Sequence, residues 1–168
     1  MPIRLMDREK IRMFRNAQLE VLRQNKAISK IEQDEYFQHV IKKSFSSHRP
    51  KMILFSIFYD SEFIGYGGFV HINWEAKTAE ISFLTEPKRA KNLSLYRQDF
   101  SSFLKIISKI ASDHVRLQYI TTETFDIRTN TIKILKNFGF KQTQKLKRRV
   151  LINGKLHDSL LHRFRIQS

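Results

Sequence analysis

A chain of 168 residues with 41% hydrophobic and 12% aromatic side chains is long enough to bury one substantial core. Five glycines and three prolines exclude a collagen-like or low-complexity chain, and the lack of cysteine excludes a disulfide framework, a thiolate metal site and a thiol nucleophile. With 31 Lys and Arg against 16 Asp and Glu the net charge is +15, a field that draws anionic small molecules and polyanions alike.

The basic residues are spread from Arg4 to Arg165, densest at Lys145-Leu146-Lys147-Arg148-Arg149. No segment joins them to an RNA-binding signature or a two-helix DNA reader, so a solvated basic surface is the expectation, with nucleic acid kept as a partner class of lesser weight. No stretch approaches the ~20 apolar residues of a membrane span, and Met1-Pro2-Ile3-Arg4 leads into charged residues without a signal-peptide core. The reading is one cytoplasmic domain over residues 1–168, as monomer or homodimer.

The pattern from Asp7 to about Gln24 is helical, with Ile11, Phe14, Val21 and Leu22 near one face. Ser29 and Glu32 have capping-box spacing and open a second helix through Tyr36, Phe37, Val40 and Ile41, ended by Pro50. Strands follow at 52–59, 63–73 and 78–84, an antiparallel meander turned by Asp60-Ser61-Glu62 and by Trp74-Glu75-Ala76-Lys77. Phe100, Phe103, Leu104, Ile107, Ile110 and Ala111 stripe a long amphipathic helix that must cover the sheet. A strand at 115–125, a short helix at 130–137 stopped by Gly139, and a hairpin of 148–152 and 159–166 around Asn153-Gly154 complete the chain. That order is an α+β one, with a mixed, mostly antiparallel sheet.

The element order, the ending Ile132-Lys133-Ile134-Leu135-Lys136-Asn137-Phe138-Gly139-Phe140 and the segment Ala79-Glu80-Ile81-Ser82-Phe83-Leu84-Thr85-Glu86-Pro87 together resemble the Gcn5-related N-acetyltransferase (GNAT) superfamily. Phe14-Arg15-Asn16, with Ile28-Ser29 and Tyr36-Phe37 downstream, resembles its ribosomal-protein and amino-sugar branches. The resemblance implies a twisted sheet of six to seven strands flanked by about four helices, acetyl-CoA as co-substrate, and no metal. Where the family carries Arg/Gln-x-x-Gly-x-Gly/Ala to cradle the coenzyme pyrophosphate, this chain has Arg89-Ala90-Lys91-Asn92-Leu93-Ser94. Asn92 tolerates positive φ and Ser94 is small, so an amide nest is compatible with both, and Lys88, Arg89 and Lys91 add charge for a phosphate.

Acetyl transfer requires an unprotonated amine, a polarised thioester carbonyl and a proton for the thiolate. Two strand carboxylates are candidate bases. Glu80 shares a face with Thr78 and Ser82, and the spacing of Glu123 to the Gly-Phe ending resembles that of the base in members acting on protein N-termini. The polarising amide is expected near Phe83, Leu84 or Thr85, where the fold usually has a bulge. Asn130 is a candidate partner for the pantetheine arm or a helix cap. The helix tyrosine that often protonates the thiolate is replaced by Leu135. Arg15, Asn16, Tyr66, His71 and Trp74 are the expected acceptor walls, Trp74 because a polar turn exposes its indole. The expected acceptor is the amine of a nucleotide-linked amino sugar, with a protein N-terminus as the alternative and a non-catalytic nucleic-acid module as the contrasting class.

Overall fold

In the computed structural model, which describes residues 1–22, 24 and 26–167, the first amphipathic segment is shorter than its pattern predicts. Helix α1 is Arg8–Asn16, and a turn and a 3-10 segment, Leu19–Val21, replace its expected continuation to Gln24. Gln18 leaves the helical region at φ −135°, and its side-chain amide donates to the Thr85 carbonyl at 2.9 Å, so a bond to the sheet replaces a further turn. Arg23, within the expected span, lies outside the described residues. The Ser29 capping box forms: its hydroxyl accepts from the Glu32 N–H, and the Glu32 carboxylate accepts from the Ser29 N–H at 2.8 Å. Lys26 bonds the same carboxylate, which lowers its pKa to about 2. Helix α2, Lys30–Tyr36, then runs through a π-helical turn, Phe37–Ile41, into α3, Lys42–Phe45.

Six strands follow: β1 Ile53–Tyr59, β2 Glu62–Asn73, β3 Thr78–Thr85, β4 Tyr119–Phe125, β5 Lys141–Ile152 and β6 Lys155–Arg165. Their order in the sheet is β1-β2-β3-β4-β6-β5, antiparallel at every junction except the parallel β3–β4 pair. Between strands lie α4 Pro87–Lys91, α5 Leu93–Ile110 and α6 Thr129–Phe138. This is the expected α+β architecture, with three differences at strand ends, one being that β6 starts at Lys155 rather than Ser159. Strand β4 starts at Tyr119 rather than Val115, because the covering helix runs on through a π turn, Ala111–Val115, closed by left-handed Arg116. Strand β5 starts at Lys141, well before Arg148; it is exposed along nearly its whole length and so lacks the apolar alternation that marks a half-buried strand. Asn153 (φ 49°) and Gly154 (φ 76°) make the tight reversal into β6.

The sheet is covered on both faces. Phe100, Phe103, Leu104 and Ile107 of α5 pack with Leu135 of α6 over Phe69, Ile81 and Ile120. Ile11, Phe37 and Ile41 close over Phe63, Tyr66 and Leu84 on the other side.

The feature that makes room for a ligand is the β3–β4 junction. Its ladder has three pairs, Thr78 with Tyr119, Ala79 with Ile120 and Glu80 with Thr121, and stops there while both strands continue. Past Glu80, β3 stays with β2 and β4 stays with β6, so each strand follows its antiparallel neighbour and the sheet twist opens a wedge between them. The expected bulge near Phe83 is corrected by this geometry: β3 keeps unbroken register from Glu80 to Thr85, and the irregularity lies on β2 between Val70 and Asn73, at His71 with φ 52°.

Candidate active site

The phase of the β2–β3 ladder decides which amides face the wedge. The Glu86 N–H donates to the Ile64 carbonyl at 2.7 Å, continuing the register that pairs Leu84 with Tyr66. Antiparallel residues alternate between bonding their partner and facing away, so the even-numbered residues of β3 bond β2 and the odd-numbered ones turn to the other edge. Phe83 and Thr85 therefore aim their main-chain groups into the wedge, and the Thr85 carbonyl accepts the Gln18 amide there. Leu84, included in the expected trio, bonds β2 and buries its side chain in the α1-side core. The Phe83 N–H is the donor placed to polarise a carbonyl lying between the strands.

Residues opposite one another in a parallel pair share a face. Because Glu80 pairs with Thr121, Glu80 and Ser82 of β3 lie on the same face as Thr121 and Glu123 of β4. The two carboxylates border one cavity of about 500 Å³, together with Arg15, His71, Phe83 and Arg128. The hydroxyl of fully buried Ser159 donates a hydrogen bond to Glu123 Oε1. Ser159 pairs with Phe125 across β4–β6, which makes it the diagonal, same-face neighbour of Glu123 and fixes the carboxylate from behind. Glu123 also borders a second groove of about 900 Å³ that leads toward Arg149 and Asn153.

The expected acceptor residues separate into lining and supporting groups. Arg15 lines the cavity, and its guanidinium donates to the Tyr66 hydroxyl at 2.7 Å and to Gln24 at 2.9 Å. Tyr66 is buried and orients Arg15. Asn16 borders the second groove, but its amide is spent on Ile28, donating to the carbonyl at 2.9 Å and accepting from the N–H at 2.8 Å. His71 lines the cavity. Trp74 borders neither space. Its indole is half-buried against the α5-side core and donates to the Pro50 carbonyl at 3.0 Å, which corrects the expectation of an exposed ring. Three lining residues escape a sequence reading. Tyr36 sits in an apolar helical pattern, Lys51 is one of many lysines, and Arg128 precedes the helix it caps.

Beyond Phe83 the cavity adjoins a pocket of about 250 Å³ walled by Leu84, Thr85, Ala90, Lys91, Leu93 and Asn130, which unites most of the expected coenzyme residues. The loop itself departs from an open nest. Residues 87–91 form a helical turn in which the Ala90 N–H bonds the Glu86 carbonyl at 2.8 Å and the Asn92 N–H bonds the Lys88 and Arg89 carbonyls at 3.2 Å. Asn92 is extended (φ −86°, ψ 107°), not left-handed, and its Oδ1 accepts from the Ser94 and Leu95 N–H groups at 3.1 Å each. It is the N-cap of α5, with its carbonyl oxygen where an oxyanion would otherwise sit. Arg89 also differs from expectation. Its Nε and Nη2 clamp buried Asp99 at 2.7 Å each, and that bond raises its pKa further, so the guanidinium is withdrawn from any phosphate. Exposed Lys88 and Lys91 are the remaining cations of the loop.

The acetyltransferase (GNAT) domain family matches residues 2–161. The chain belongs to this family. It is accordingly an N-acetyltransferase with acetyl-CoA as co-substrate. Among solved structures, the spermidine N-acetyltransferase from Vibrio cholerae in complex with CoA and spermine is similar at TM-score 0.83 and 15% identity, over 99% of this chain and 94% of that one. A dodecameric structure of spermidine N-acetyltransferase from Vibrio cholerae is similar at TM-score 0.79 and 15% identity, over 98% and 91%. Likeness at this identity establishes the GNAT fold and leaves the acceptor to the site. No curated protein matches the sequence significantly.

The residues present fit the thioester arm of acetyl-CoA, which the wedge and its Phe83 amide can receive. They fit the diphosphate once the exposed Asn92 side chain turns outward and releases the Ser94 and Leu95 amides at the start of an 18-residue helix. Replacing Asn92 with Ala is expected to tighten CoA binding about fivefold in calorimetric titration, since ~1 kcal/mol of cap bonding no longer has to be displaced. Unchanged or weaker binding would show that the cap stays in place. Among the described residues, no helix is long and apolar enough to cross a membrane and no group of side chains has the make-up of a metal site.

Proposed function

We propose that this GNAT chain acetylates an amine that also carries an anionic group, a nucleotide-linked amino sugar being the expected type, with Glu123 as the base. The observation that supports this most is the charge around the two carboxylates: Arg15, Lys51 and Arg128 border the same cavity. A polyamine such as the spermidine of the structural neighbours would bring several positive charges to those three cations on a chain of net charge +15. A diphosphate suits them instead, and the ring of Tyr36 beside Arg15 and Lys51 offers a stacking wall for a base.

Glu123, held by Ser159, takes the proton of the arriving ammonium directly or through one water, and the freed nitrogen attacks the thioester carbonyl. The oxygen that gains charge is met by the Phe83 N–H. Glu80, on the same face nearer the end of the ladder, is the second carboxylate available to the amine. The larger groove past Glu123, with Arg149 on its wall, favours a second reading in which the amine is the N-terminus of an acidic peptide.

The test is CoA thiol release with acetyl-CoA and a panel of a nucleotide-linked amino sugar, spermidine and an acidic N-terminal peptide. The expected result is kcat/KM at least 100-fold higher for the sugar nucleotide than for spermidine, reduced about tenfold by Lys51→Ala. Equal or faster turnover of spermidine would overturn the anionic-acceptor reading, and preference for the peptide would select the second one.

A further inference from the structure

The thiolate that leaves in this reaction needs a proton, and the helix position from which the family often supplies it is occupied by Leu135, which is fully buried. A tyrosine is nevertheless present at the right boundary, delivered by a different helix. Tyr96, in the first turn of α5, borders both the acceptor cavity and the coenzyme pocket, as do Phe83, Arg128 and Thr131. Its ring centroid lies 6.3 Å from that of Phe83, the residue whose amide faces the wedge. Its hydroxyl accepts from Arg128 Nη2 at 3.0 Å and shares a 2.9 Å hydrogen bond with Thr131 Oγ1.

We propose that Tyr96 is the general acid that protonates the departing CoA thiolate, an assignment that rests on the acetyl-transfer reading above. Glu123 passes the ammonium proton to solvent, and the amine nitrogen then bonds to the thioester carbon and gives its second surplus proton to Glu123, which returns that one to solvent as well. The C–S bond then breaks with its electron pair on sulfur, and sulfur takes the Tyr96 Oη proton. The phenolate left behind faces the Arg128 guanidinium and regains a proton from solvent through the Thr131 hydroxyl. The products are the amide and the free thiol, with two protons released and one taken up. A hydroxyl that served packing alone would not need to lie where two cavities meet, nor to be bonded by both a cation and an exchangeable hydroxyl. The charged or titratable groups bordering the same cavity are Arg15, Tyr36, Lys51, His71, Glu80, Glu123 and Arg128, so the pH profile is read as a difference between variants.

Tyr96→Phe keeps the ring and removes the proton. The expected result is a fall in kcat of about 100-fold or more, within the usual range for a lost general acid, while KM for acetyl-CoA and the Kd of CoA stay within about threefold. The alkaline limb of the kcat profile disappears. Thr131→Val, which keeps the phenol and removes its relay, lowers kcat by about tenfold and retains that limb. A Tyr96→Phe enzyme with kcat within threefold of the parent overturns the proposal, as does a loss of rate matched by an equal loss of CoA affinity. If the parent protein releases no thiol with any amine, the acetyl-transfer reading fails first and takes this assignment with it. An active parent with an unaffected variant removes Tyr96 alone.

Discussion

Glu123→Gln is expected to lower kcat by roughly 100- to 10,000-fold, the span measured when a positioned general base is lost, and to leave the Kd of CoA unchanged. The isosteric amide still accepts the Ser159 hydroxyl, so the variant keeps the geometry and removes only the ability to take a proton. Ser159→Ala tests the support: the carboxylate remains but loses the Ser159 bond, and a loss of about tenfold is expected from misorientation. Glu80→Gln serves as the internal comparison, because Glu80 shares the face and the cavity. A Glu123→Gln enzyme within threefold of the parent, beside a disabled Glu80→Gln enzyme, would move the base from β4 to β3.

The second large effect is on stability and comes from the residue that the coenzyme loop turns inward. Arg89→Ala leaves the Asp99 carboxylate buried without its guanidinium, with the Thr85 hydroxyl donating to it from β3 at 3.2 Å. The Arg89 and Asp99 side chains are 15% and 5% exposed, so solvent does little to replace the lost partner. Removing one member of a buried pair typically costs roughly 3 kcal/mol or more. For a chain of this size that corresponds to a fall in Tm of about 6–12 °C, readable by calorimetry. The pair ties α4 and α5 to the end of β3, so CoA affinity should fall as well. A double change, Arg89→Met with Asp99→Leu, removes both charges and should recover part of the lost Tm. An Arg89→Ala variant that melts within 2 °C of the parent would show that the clamp contributes little.

The sequence made the architecture legible wherever a side-chain pattern had one cause. The Ser29 and Glu32 spacing became a capping box, the stripe from Phe100 to Ala111 became the covering helix, Gly139 stopped α6, and Asn153-Gly154 turned the hairpin. Legibility failed where tertiary contacts overrode local pattern. Gln18 ends a helix because Thr85 is nearby in space, and β5 is a strand because β6 pairs with it, although its own residues face solvent on both sides. In the site, Glu80 and Glu123 were identifiable as strand carboxylates, but not that one cavity holds both. Arg89 and Asn92 read as phosphate ligands because charge and φ tolerance are local properties. Their actual partners, Asp99 and the Ser94 and Leu95 amides, depend on how α4 packs against α5. Tyr96 belongs to no motif legible in the sequence, and its relation to Arg128 and Thr131 exists only once α5 and α6 meet.

The three paired positions between β3 and β4 join two otherwise continuous halves of the sheet, β1-β2-β3 and β4-β6-β5. They link residues far apart in the chain, so the loop-closure entropy between them must be overcome before any of those bonds can form. Fewer ladder pairs cross this junction than cross the antiparallel ladders on either side of it. The halves are held chiefly by the shared α5-side core, in which Ile81 and Ile120 meet under Leu104 and Ile107. The proposed substrate site thus lies along the junction where the fewest ladder pairs hold the sheet together, beside the α5-side core that both halves share.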